Sequence, residues 1–173
     1  MRRSLSSIGI VVLTALLLAA CYPEYNWREV SVAEGRAQAL FPARVHTQAR
    51  QFEWEGGTRA FTLSSATVGK AVYASGHMLL SADELRDPAV LRQWQERLVQ
   101  SLYANYQAAV PAVLPGPGQD ILIESQRAGE PVRLVGRVQV IGDALVEIVA
   151  AGPKEALPMD RAREFVASLK PAG

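Results

Sequence analysis

The chain has 173 residues, 18 Lys and Arg against 17 Asp and Glu for a formal net charge of +1, 49% hydrophobic side chains, two histidines and one cysteine. A near-neutral surface has no field to steer nucleic acid, and no basic run interleaved with aromatics is present, so DNA and RNA are excluded as partners. A single thiol closes no internal disulfide and no H-x-x-x-H or H-x-H spacing occurs, so stability has to come from packing, and no metal or cofactor is predicted.

Arg2 and Arg3 open the chain, an apolar run follows over residues 8–18, and the small Ala19 and Ala20 precede Cys21. This is the three-part pattern of a secretory leader: a cationic start that stays inside, a short helix that enters the bilayer, and small residues for the peptidase cleft. The 13 residues from Ile8 to Ala20 fall short of the ~20 that a spanning helix needs, and Tyr22-Pro23-Glu24 does not extend the run. The box Leu18-Ala19-Ala20-Cys21 resembles the signal of bacterial lipoproteins, whose cysteine is lipidated and becomes the first residue after cleavage. The resemblance implies lipid attachment at Cys21 and a chain held to the membrane by that anchor. Because Tyr22 rather than Asp follows the cysteine, it also implies the outer membrane, facing the periplasm. Each buried methylene adds ~0.8 kcal/mol of membrane affinity, so the several acyl chains implied for Cys21 would hold it firmly. With residues 1–20 removed, Lys plus Arg falls from 18 to 16 against 17 acids, a formal net charge of −1.

Residues 21–26 then form a short tether of about six residues, reaching roughly 20 Å at ~3.5 Å each, and residues 27–173 form one α+β domain. Tyr22, Tyr25 and Trp27 suit either a membrane interface or, for Trp27, the start of the first core strand. From 27 to 80 the pattern is mostly period two, broken at Glu34-Gly35, Pro42 and Gly56-Gly57, as antiparallel strands require. Gln48, Arg50, Phe52 and Trp54 alternate with Thr47, Ala49, Gln51 and Glu53, a half-buried pattern that marks an edge strand. Small residues on both faces of the 71–79 strand predict close cover by a helix.

Ser81 and Glu84 have capping-box spacing, and Asp87-Pro88 supplies a second N-cap with proline at the first helical position. A long helix is predicted over about 88–107, with Leu91, Trp94, Leu98 and Leu102 as its apolar stripe. After a Pro- and Gly-rich loop at 111–118, strand character returns at 121–123 and 132–140. Gly142-Asp143 makes a tight turn into an apolar central strand interrupted only by Glu147. Pro158 opens a closing helix over about 158–169, stopped by Pro171. The expected fold is an antiparallel sheet of about seven to eight strands with the long helix and the C-terminal helix packed on it. This layout, with Ala39-Leu40-Phe41-Pro42 near the start and Glu164-Phe165-Val166-Ala167-Ser168-Leu169 at the end, resembles small proteobacterial lipoproteins of Mog1/PsbP-like fold. That resemblance implies an accessory or binding role and places no catalytic residue.

The search for chemistry is mostly negative. His46 reads as solvated and His77 as a hydrogen-bonded or edge residue; neither has G-x-S-x-G or ligand-spaced neighbours. Paired carboxylates for glycoside hydrolysis would have to come from Glu53 and Glu55, which share a strand face beside a glycine turn, from Asp83 and Glu84, or from isolated acids such as Glu124 and Glu147, and Gly116-Pro117-Gly118 lacks the lysine of a phosphate loop. Glu147 is the unusual acid, because a buried charge needs a partner, and Arg133 or Arg137 across the hairpin is expected to supply it. No catalytic residue is predicted. The expectation is a non-catalytic envelope protein that binds a protein partner or assists an assembly. The alternative is a small-ligand or apolar-molecule binding lipoprotein with a cavity between sheet and helix rimmed by the 111–118 loop; a hydrolase comes third.

Overall fold

The computed structural model describes residues 24–54 and 57–173. The leader, Cys21 and Tyr22 lie outside them, as do Glu55 and the side chains of Phe52, Glu53 and Trp54. Nine strands form two antiparallel sheets among the described residues. β1 (Arg28–Val32), β2 (Ala37–Phe41) and β9 (Lys170–Pro171) make a three-stranded sheet in the order β1-β2-β9. β3 (His46–Trp54), β4 (Gly57–Val68), β5 (Ala71–Leu79), β6 (Ile121–Arg127), β7 (Glu130–Ile141) and β8 (Ala144–Pro153) make a six-stranded sheet in the order β3-β4-β5-β8-β7-β6. The single sheet expected from sequence is thus two. Ala37 and Gln38 of β2 pair with Pro171 and Lys170, a contact between the two ends of the domain that no local pattern announces.

The helices follow their end signals. In α1 (Ala82–Arg86) the Ser81 hydroxyl accepts from the Glu84 amide and the Glu84 carboxylate accepts from the Ser81 amide at 2.7 Å, so two otherwise orphaned donors are satisfied. In α2 (Pro88–Asn105) the Asp87 side chain accepts from Ala89 at 2.9 Å and from Val90. α2 is two residues shorter than expected because Gln107 turns to a positive φ of 52° just past its end. α3 (Met159–Ala167) stops short of 169 because the Ser168 hydroxyl folds back to donate to the Phe165 carbonyl and accepts from the Leu40 amide, which hands the chain on to β9. No helix of the described residues is long and apolar enough to cross a membrane.

Side chains alternate across each strand, so the six-stranded sheet carries two cores. On one face Ala144, Val146, Ile148 and Ala150 of β8 meet Phe165 and Val166 of α3 and Phe41 of β2. Tyr73 packs edge-on against Phe165 at 5.3 Å there, and Tyr25 and Trp27 cover it from outside. Trp27 packs on this core immediately ahead of β1, with the Asn26 amide donating to the Pro42 carbonyl at 2.7 Å beside it. On the other face Leu145 of β8, Met78 of β5 and Leu134 and Val138 of β7 meet Trp94, Val99, Leu102 and Tyr103 of α2. β3 is an edge strand and β8 a central one, as the patterns of 46–54 and 145–151 require.

Candidate ligand pocket between helix α2 and the sheet

Helix α2 is fixed at its start by the carboxylate of Glu84. Besides capping α1, that group accepts from the Trp94 indole at 3.1 Å and pairs with the Arg59 guanidinium, which also lies 5.2 Å over the Trp94 ring. Burial alone would raise the Glu84 carboxyl, but the Ser81 hydrogen bonds and Arg59 outweigh it and hold it down at about 2. An acid that the sequence marks only as a cap thus locks strand β4 to both helices.

Beyond Trp94 the helix overhangs the sheet. Trp94, Leu98, Ser101, Leu102 and Asn105 fall three or four apart on one side of α2, and together with Arg97 they roof a half-open pocket of about 300 Å³. Its floor is Phe61 of β4, Met78 of β5 and Leu145 and Glu147 of β8. This is the lower end of the ~300–1,000 Å³ usual for small-molecule sites.

Glu147 is 7% exposed, and among the described residues its carboxyl makes no hydrogen bond or ion pair. The expected partners fail for a reason of parity. Glu147 lies opposite Val138, so it shares a sheet face with Val138, Gly136 and Leu134, while Arg133 and Arg137 project from the other face. There Arg133 binds Glu124 at 2.8 Å and Arg137 binds Asp120 at 2.7 Å. Burial alone pushes the Glu147 carboxyl up to about 7. Room for it comes from Gly76, its register partner on β5. A Cβ there would meet the Phe61 ring and stand 2.9 Å from Glu147 Oε1. Gly76 thus makes way for a neighbouring ring and a carboxyl, while Met78 and Tyr73 of the same strand meet α2 and α3 on its two faces.

The two histidines separate. His46 is exposed at the start of β3. His77 is buried on the opposite sheet face, where its Nε2 lies 3.7 Å from Glu34 Oε1. Burial pushes its imidazole down and Glu34 pulls it part of the way back. Glu34 reaches it from a tight turn in which Ala33 and Glu34 both adopt positive φ, next to Arg36 paired with Asp143. The hydroxyls around this smaller cavity of about 260 Å³ are those of Thr58 and Thr62, and neither bonds His77. Ser75, on the same strand face, is buried without a partner but does not line the cavity. Among the described residues no hydroxyl is bonded to the imidazole.

The 111–118 loop does not border the Glu147 pocket; it rims a second cavity between α2 and the sheet, as the sequence pattern led one to expect of that loop. It lines this cleft of about 970 Å³ with Leu91, Gln95 and Val140, on the other side of α2. The loop is drawn there because Gly118, at a φ of +70°, donates its amide to the Val138 carbonyl and Gln119 closes the turn onto the Gly116 amide. Among the described residues no cluster of three or more His, Cys, Asp or Glu could hold a metal. The chain matches no protein-family model and no curated protein sequence.

Proposed function

We propose that the chain is a lipid-anchored binding protein of the bacterial cell envelope, non-catalytic, that faces the periplasm from the outer membrane and takes a small, mostly apolar ligand between α2 and the six-stranded sheet. The observation that carries the ligand reading is a buried carboxyl, without a partner among the described residues, at the floor of a mostly apolar, half-open pocket whose roof also carries Arg97, Ser101 and Asn105. A group of that kind is costly to bury and stays only where something compensates it. The anchor rests on the Leu18-Ala19-Ala20-Cys21 box, and an antiparallel sheet with a helix on each face supports the resemblance to the Mog1/PsbP-like family. A second reading, an accessory domain that docks an envelope protein, is favoured by the wider cleft beside the 111–118 loop, where Val113 is 85% exposed.

Ser101 stands exposed at the pocket, so Ser101→Phe puts a ring into the mouth without touching the core. Benzyl alcohol, titrated into the purified protein and followed by tryptophan emission, should bind the parent chain and lose at least about tenfold in affinity in Ser101→Phe at unchanged melting temperature. Equal binding to both chains, or none to the parent, refutes the ligand reading.

A further inference from the structure

Resting on the ligand reading above, we infer that the pocket selects a cationic aliphatic amine: its ammonium sits against the Glu147 carboxylate beside the Phe61 and Trp94 rings, and its hydrocarbon lies along Leu98, Leu102 and Leu145.

Three observations on separate residues converge on this charge and shape. The carboxyl on central strand β8 is more than nine-tenths buried, lines the cavity and has no partner among the described residues, so it can accept up to several hydrogen bonds from an incoming donor. The position opposite it is stripped to Gly76, which keeps Glu147 Oε1 and the Phe61 ring side by side. Phe61 and Trp94 both border the cavity, and Trp94 already carries one cation, the Arg59 guanidinium 5.2 Å over its ring. A neutral ligand of the same shape would fill the space but leave the acid uncompensated, and a carboxylate ligand would meet the acid at close range.

Of the other charged groups on the described elements around Glu147, only Arg97 borders the same pocket. On β4, Arg59 is paired with Glu84. On β5, His77 points from the opposite face, and on β7 Arg133 and Arg137 do the same. On α2, Arg97 lines the pocket, has an interaction of its own, and forms no ion pair with Glu147. An alkylammonium arrives protonated at neutral pH, so on binding the Glu147 carboxyl gives its proton to solvent and the two remaining charges pair. Binding and proton release are therefore coupled.

The test is calorimetric titration of the purified full-length protein with n-pentylamine, 1-pentanol and pentanoate, which share a chain and differ in charge. Each is run at pH 7 in two buffers of different ionisation heat. The amine should bind at least about tenfold more tightly than the alcohol, with pentanoate weakest, and amine binding alone should release a substantial fraction of a proton. Glu147→Gln, close in shape and without charge, should bring amine and alcohol within about threefold of each other. If the parent protein binds none of the three, the pocket reading itself falls. If the alcohol or the acid binds as tightly as the amine, or no proton is released, the pocket stands and the amine selectivity is overturned. Proton release is read on the parent protein, so the result does not depend on how well the variant folds.

Discussion

Glu147→Gln should remove the pH dependence that one carboxyl imposes on folding. In the folded chain Glu147 keeps its proton up to about 7; in the unfolded chain it loses it near the ordinary 4.5. Below 4.5 both states are protonated and the group contributes no difference. Between 4.5 and 7 the unfolded state binds fewer protons, so stability falls as pH rises, and above 7 the full cost applies. At 1.36 kcal/mol per pH unit that cost is roughly 3 kcal/mol, a large part of the 5–15 kcal/mol typical of a domain. Gln cannot ionise, so the stability of Glu147→Gln relative to the parent should grow by about 3 kcal/mol from pH 4.5 to pH 8. Urea unfolding followed by tryptophan fluorescence at four pH values gives both curves, and the difference cancels His77, Glu84 and every other group common to the two chains. Curves that stay parallel within about 0.5 kcal/mol would mean that the folded carboxyl ionises at its ordinary value, and the account of the pocket floor would be wrong.

Gly76→Ala drives a methyl into the Phe61 ring and against Glu147 Oε1, and should cost about 1–3 kcal/mol, read as a lower melting temperature. Glu84→Gln loosens the cap, the Arg59 pair and the Trp94 contact and should cost about 1–2 kcal/mol at pH 7. Because the parent carboxyl is held at about 2, that advantage is present above the ordinary 4.5 and should fade as pH falls towards 2, which acid titration of both chains would show. Cys21→Ser should move the protein from the membrane fraction to the soluble one on cell fractionation; continued sedimentation with membranes would remove the anchor from the proposal.

What could be read in the sequence was what neighbours decide. Ser81 with Glu84, Asp87-Pro88 and Gly142-Asp143 each fix their own geometry within four residues, and each fell in place. The edge strand 46–54 and the apolar strand 145–151 were legible because period two reports burial directly. The division into two sheets was not, since β9 is two residues long and finds β2 across the whole domain. Glu147 stood out as a charge in an apolar strand, but its lack of a partner turned on which face of β7 carries Arg133 and Arg137, and that depends on register. The pocket itself requires Phe61, Gly76, Trp94 and Glu147 from four elements, a coincidence that no single window contains.

The two faces of the six-stranded sheet give the molecule a polarity. The chain enters at Tyr25 and Trp27, which lie on the Tyr73 face beside the three-stranded sheet, whereas Phe61, Trp94 and Glu147 line the reverse side. Only two residues separate Cys21 from Glu24, a reach of about 10 Å over three Cα steps, so an acylated N-terminus would press the Tyr73 side towards the lipid. The sheet would then stand as a partition between bilayer and cavity, and a guest would have to come in from the aqueous compartment rather than slide sideways out of the membrane.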